Sequence, residues 1–193
     1  MMRDPILQDW PASFETQRLL VRSPRPGDGP ALHEALVESL PQLRKFLGML
    51  PWVACEQTVD TAEMYARKAH AAFIMRTDMP FLIFEKSSGQ FVGATGLHRP
   101  VWATPKVEVG YWGRTSRAGS GFIAEAVRGV TLYAFEHIRA ARIDLVTDEA
   151  NMESRRVADR CGFTLEGVLR DESRGTDGEL RNVCWYGKLP PRD

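Results

Sequence analysis

Gly119, Ser120 and Gly121 stand directly before a long amphipathic segment, and that arrangement suits the binding of an anion. Without a Cβ, glycine lets neighbouring backbone N–H groups converge on one point. The first turn of the helix that follows adds unpaired N–H donors and the positive end of its dipole. A phosphate or pyrophosphate is the ligand such a junction holds. Three schemes use it. The triphosphate loop needs GxxxxGK followed by Ser or Thr, which this chain lacks. The dinucleotide fingerprint GxGxxA is satisfied by Gly119-Ser120-Gly121-Phe122-Ile123-Ala124, and Asp148 ends the next strand. There, however, the first glycine follows its strand at once, whereas here a loop from Gly113 intervenes. The chain after the loop also closes in an antiparallel hairpin rather than in further βα units. An anion site outside both schemes is the third.

The elements around this loop follow from periodicity and punctuation. QRLLVRS (17–23) reads as a first strand, broken by PRPGDGP. Asp28 can cap a helix with Pro30 in its first turn, running to about Leu40, where Pro41 should interrupt it. Asp60 and Glu63 have capping-box spacing at the start of a second helix, TAEMYARKAHAAFIMR. FLIFE, KSSGQ and FVGATGLHRPV predict a hairpin, and KVEVGYW (106–112) a further strand. Ile123, Val127, Val130, Ala134 and Ile138 recur at helical spacing. IDLVTD (143–148) is a short strand, and Asn151 can cap a helix ending at Gly162. Two strands around Asp177 and Gly178 close the chain. The order β-α-α-β-β-β-α-β-α-β-β predicts an α+β domain. Its sheet is mixed and mostly antiparallel, with about seven strands and about four helices on its faces. One domain over 1–193 is expected, with 1–14 as a loosely packed arm.

Composition narrows the function classes. Lysine plus arginine and aspartate plus glutamate are 25 each, so no basic excess points to nucleic acid. No apolar run approaches a membrane span, and the N-terminus has no signal-peptide core, so a soluble, cytoplasmic protein is expected. Cys55, Cys161 and Cys184 form no CxxC pair and no metal spacing, and His33, His70, His98 and His137 are scattered. Reduced thiols and no metal are expected. His98, on the central hairpin, is the one histidine placed near a cleft.

The runs EVGYW, GSGFIAEAV, IDLVTDEANMESRRVADRCGFTLEGVLRD and DGELRNVCWYGKL together resemble the GNAT acetyltransferases, most closely the RimJ/RimL-type N-acetyltransferases. The resemblance covers about residues 15–190. It implies the GNAT fold and acetyl-CoA as co-substrate, with a primary amine as acceptor, either a protein N-terminus or a small molecule. It leaves a homodimer open as an assembly.

The family's pyrophosphate loop, Q/R-x-x-G-x-G/A, falls on Ala118 to Ile123, with Gly121 at its fourth position. Ala118 and Ile123 both depart from it. Backbone N–H groups can bind without the first side chain, and Arg117 could supply charge. Ile123 is bulkier than the pattern beside the phosphates. By the same resemblance, the pantetheine arm lies along the backbone of Tyr111 and Trp112, whose side chains are expected mainly in the core. Asn151 reaches the pantetheine amides while capping its helix. Glu108 is the general base, and Ser154 the proton donor to the leaving thiolate. Ser173 matches a position where similar enzymes carry an acid, and Glu172 beside it should face the other way. A non-catalytic acyl-CoA-binding module of the same fold is the alternative.

Overall fold

The computed structural model describes residues 4–191. Its sheet is centred on β3 (Met79–Glu85) and β4 (Phe91–Val101), whose residues are buried along most of their length, as strands covered on both faces must be. They form the expected hairpin, turned at Gly89 with φ 68°. The other strands are β1 (Ser13–Glu15), β2 (Leu19–Arg22), β5 (Lys106–Gly113), β6 (Arg142–Asp148), β7 (Thr164–Arg174) and β8 (Leu180–Lys188). Together they make one eight-stranded sheet in the order β1-β2-β3-β4-β5-β6-β8-β7. Every neighbouring pair is antiparallel except β5 and β6. The α+β architecture is as expected, with β1 as the additional strand.

Helix α4 (Phe122–Tyr133) covers one face, where Val127 and Val130 meet Val107, Val109 and Ile143. A five-residue π turn, Ala134–Ile138, extends it. Helix α5 (Met152–Arg160) packs against α4. On the other face, α1 (Gly29–Leu47) and α3 (Val59–Met75) set Leu32, Ala35, Ala62 and Ala66 against Leu82, Phe91 and Ala94. The short helix α2 (Pro51–Ala54) lies between them in sequence.

Three local expectations need correction. Helix α1 runs through Pro41, because Leu43 and Leu47 beyond it pack with Leu36, Val53 and Trp52. That burial outweighs the hydrogen bond proline forgoes. The capping box of α3 is Thr58 with Thr61, each accepting the other's backbone N–H. Glu63 instead reaches across to the N–H groups of Gly27 and Gly29, 3.0 Å from each. Asp28 makes no side-chain cap; it pairs with Arg22 at 2.6 Å. Within the stretch 1–14, expected as a flexible or loosely packed arm, Trp10 is buried against Trp102, and Ser13 and Phe14 lie in β1. Residues 1–3 of that arm lie outside the described residues.

Candidate active site

The parallel pairing of β5 and β6 is confined to Lys106, Val107 and Glu108 opposite Arg142, Ile143 and Asp144. Beyond Glu108, β5 stays with β4 as far as Gly113, while β6 stays with β8 as far as Asp148. The two strands therefore splay, and the β6-facing backbone edge of β5 from Val109 onward has no strand partner. A cleft of about 1250 Å³ opens there, lined by Tyr111 and Trp112 on one lip and by Leu145 to Asp148 on the other. An extended ligand could pair with such an edge as an added strand.

The glycine loop closes one end of this cleft. Gly119 and Gly121 both have φ 77°, the left-handed region that disfavours side chains, and Gly121 holds the N-cap position of α4. The N–H groups of Gly119, Ser120 and Gly121 donate to no acceptor among the described residues. Arg18 braces the loop from below. Its guanidinium donates to the Ser120 carbonyl at 3.1 Å and lies 4.6 Å from the Phe122 ring centroid. Glu125, on the first turn of α4, fixes Arg18 and the Thr16 hydroxyl, the latter at 2.6 Å. Burial opposes ionisation of Glu125, but these donors outweigh it and hold the carboxyl below its usual range. No spacing in the sequence marks Arg18 for this position.

Two side chains of the loop lie elsewhere than the sequence suggests. Arg117 turns toward the β3–β4 hairpin, where Glu85 lies 3.4 Å away and the Gln90 amide oxygen accepts from it. Its charge is thus already engaged. Ile123 does not crowd the loop. Its side chain enters a notch in the sheet between Gly93 and Gly113, where added Cβ atoms would sit 3.0 and 2.9 Å from it. Those two glycines accommodate the bulk that departs from the pattern at this position.

Across the cleft, Asn151 accepts the Ser154 N–H at 3.1 Å and so caps α5. The Ser154 hydroxyl lies 2.9 Å from the Tyr111 hydroxyl, which donates to the Ser154 carbonyl at 3.1 Å. Tyr111 points between strand and helix, and burial pushes its phenol well above the usual range. Arg156 and Arg160 line the same side and form no ion pair among the described residues.

The opposite face of β4 and β5 forms the floor toward α1 and α3. Glu108 lies there, both oxygens engaged by the Arg99 guanidinium, one at 2.8 Å. Arg99 has φ 50°, at a bulge between His98 and Val101. The Trp112 ring lies tilted against those of Trp52 and Phe91 on this face, with centroids 6.2 and 5.7 Å away. At the rim, Ser173 lines the cleft and Glu172 does not.

The acetyltransferase (GNAT) domain family matches residues 18–164, well over half the chain. The chain belongs to the GNAT acetyltransferases. It is 33% identical over 101 residues to YdaF of Bacillus subtilis (strain 168), which carries a ribosomal N-acetyltransferase name. That match spans 52% of this chain and 55% of the relative, so the chain covers about half the length of that protein. YoaA of the same strain, an uncharacterized N-acetyltransferase, is 25% identical over 180 residues, or 93% of this chain and 98% of its own. The solved structure of RimL, a ribosomal L7/L12 alpha-N-protein acetyltransferase in complex with coenzyme A, superposes with a TM-score of 0.82. At 19% identity, covering 90% of this chain and 95% of that one, it shows the shared fold.

In this GNAT chain one cleft gathers Glu108, Tyr111, Trp112, Arg117, Ala118, Gly119, Gly121, Phe122, Ile123, Asn151 and Ser154 along its walls. Ser120, exposed between the two loop glycines, is tied to Arg18 through its carbonyl. Sequence reasoning missed Arg18 and the Tyr111 hydroxyl, and it left the setting of His98 open. No group of three metal-ligating side chains occurs among the described residues, and no helix there is long and apolar enough to cross a membrane.

Proposed function

We propose that this protein transfers an acetyl group from acetyl-CoA to a primary amine by direct attack. The observation that carries this reading is the unpaired edge of β5, which ends at a left-handed glycine loop and faces a hydroxyl pair. The pantetheine arm lies along Val109 to Gly113 as an added strand, and the pyrophosphate rests on the free N–H groups of Gly119 to Gly121. That RimL, of the same fold, is solved with coenzyme A supports this ligand.

The amine nitrogen forms its bond to the thioester carbonyl carbon while the C–S bond breaks. The departing thiolate meets the Ser154 hydroxyl, which passes it a proton and regains one from water, while the Tyr111 hydroxyl, donating to the Ser154 carbonyl, orients that serine. Burial keeps the Tyr111 phenol protonated for that task. On the acceptor side, Glu108 attracts the incoming ammonium group in exchange for Arg99. A peptide N-terminus is the acceptor the relatives' names favour, since YdaF and RimL are both named for ribosomal acetylation.

An acceptor panel of peptides, amino acids, polyamines and aminoglycosides, read as thiol release, tests the reading. Release with at least one amine is expected. Tight coenzyme A binding with no release across the panel would make the protein a binding module instead.

A further inference from the structure

On the floor of the cleft, His98 is seated more deliberately than a surface histidine needs to be. Its Nδ1 lies 2.7 Å from Oδ1 of Asp78. An ionised carboxylate can only accept, so Nδ1 carries the proton and Nε2 is left with a free lone pair. Nε2 has no hydrogen-bond partner among the described residues, and the ring lines the cleft. Asp78 is itself held in the turn that closes α3, where its N–H and that of Thr77 both point to the Ala72 carbonyl.

The ring rests on a shelf made of two glycines. A Cβ on Gly96 would stand 2.6 Å from Cε1 and Nε2, and one on Gly110 would stand 2.9 Å from Cδ2. Gly96 and Gly110 are cross-strand partners, and neither has a left-handed backbone that would itself call for glycine. The imidazole fills the space a side chain would take at both, and at Gly96 the Met79 carbonyl adds a 3.2 Å contact. His98 is also the cross-strand partner of Glu108, so the two side chains stand side by side on the acceptor face.

We propose that His98, oriented by Asp78, is the base that takes the proton from the acceptor amine. The proposal rests on the acetyl-transfer reading above. Glu108 is less suited to that step, because the Arg99 guanidinium already occupies both its oxygens. The bound ammonium first releases one proton to water in the open cleft; as the N–C bond forms and the C–S bond breaks, the neutral amine nitrogen sheds its second proton to Nε2. The Asp78 carboxylate stabilises the resulting imidazolium through Nδ1–H, and the proton leaves through the open cleft. Asp78 acts through His98 and is a positioning residue. The charged and titratable groups lining the cleft around the ring are Asp78, Glu108 with Arg99, and Tyr65 from α3.

The test is the pH dependence of kcat/KM for the wild type, His98→Gln, Asp78→Asn and Glu108→Gln, with the acceptor that the panel identifies. The wild type should lose activity on its acid limb as the imidazole protonates. His98→Gln should fall by about 10²- to 10⁴-fold near neutrality and lose that limb. It should keep the wild-type thermal protection by coenzyme A. Asp78→Asn should retain the limb but displace it, a result that loss of packing alone would not give. Glu108→Gln should keep the limb in place. A His98→Gln enzyme with the wild-type profile overturns the proposal, as does a limb that vanishes only in Glu108→Gln. Should His98→Gln fail to fold, His98→Ala with added imidazole replaces it; restored rate supports the base, and no restoration at any pH overturns it. A wild type that binds coenzyme A but releases thiol with no amine defeats the transfer reading itself, before any variant is compared.

Discussion

Under the acetyl-transfer reading, recognition on the β5–α4 side of the cleft falls to the backbone: an unpaired strand edge, two left-handed glycines and the first turn of a helix. On the α1–α3 side it falls to side chains brought from separate elements, with Asp78, His98, Arg99 and Glu108 meeting across a turn, a bulge and two strands. The first half resembles a mould whose shape is set by main-chain conformation. The second is a polar constellation whose parts are each replaceable. Substitutions should therefore fail differently on the two sides, through ligand binding on one and through rate and proton dependence on the other.

The largest effect is expected at Gly121. A native-state ligand at about 100 times its dissociation constant adds roughly 2.7 kcal/mol of stability. Gly121→Val forces a β-branched residue into φ 77° and should abolish that protection in thermal melts with coenzyme A. Unchanged protection would show that the phosphates bind elsewhere. NADH should protect neither protein.

Next come the two hydroxyls. Tyr111→Phe and Ser154→Ala should each slow turnover by about 10²-fold. The double variant should lose much less than the product of the two, since the groups act as one pair. Because burial holds the Tyr111 phenol protonated, the Tyr111→Phe loss should stay constant from about pH 6 to 10. A loss that faded at high pH would place the hydroxyl on the acceptor side instead.

Glu108→Gln probes the opposite wall. It should raise KM for a cationic acceptor by about tenfold, the scale of one charged hydrogen bond, with a smaller change in kcat. An equal fall in kcat with KM unchanged would return the proton-accepting role to Glu108.

Smaller effects separate the frame from the chemistry. Glu125 ties Thr16 and Arg18 to α4, and its carboxyl sits below the usual range in the folded state. Its contribution is therefore complete above the unfolded carboxyl value of about 4.3 and is lost as pH falls toward the lowered native value. Glu125→Gln should cost about 1.5–3 kcal/mol at pH 7 and shrink the loss of stability in acid. Urea unfolding from about pH 3 to 7 would show both. Ile123→Ala should cost no more than about 2 kcal/mol, because the notch it empties is only partly buried. Coenzyme A protection should survive it. Lost protection would mean that Ile123 shapes the loop.

Much of this molecule is written locally. The hairpin of β3 and β4, the amphipathic face of α4, the Asn151 cap and the glycine loop each depend on residues close in sequence, and all were legible there. What was misread locally was decided by distant partners. Pro41 stays helical because Leu43 and Leu47 find Val53 and Trp52. Glu63 leaves its own helix to receive the N–H groups of Gly27 and Gly29. Ile123 reads as an obstruction until Gly93 and Gly113, far away in sequence or on another strand, are seen to receive it. The same holds for the proton chemistry. Nothing in the spacing of Asp78, His98 and Glu108 announces a cluster, since strand register and a left-handed bulge at Arg99 bring them together. Backbone conformation answers to local residue type, so sequence determined the glycine-loop side of the cleft. Side-chain convergence answers to register and packing, and only the tertiary structure decided the α1–α3 side.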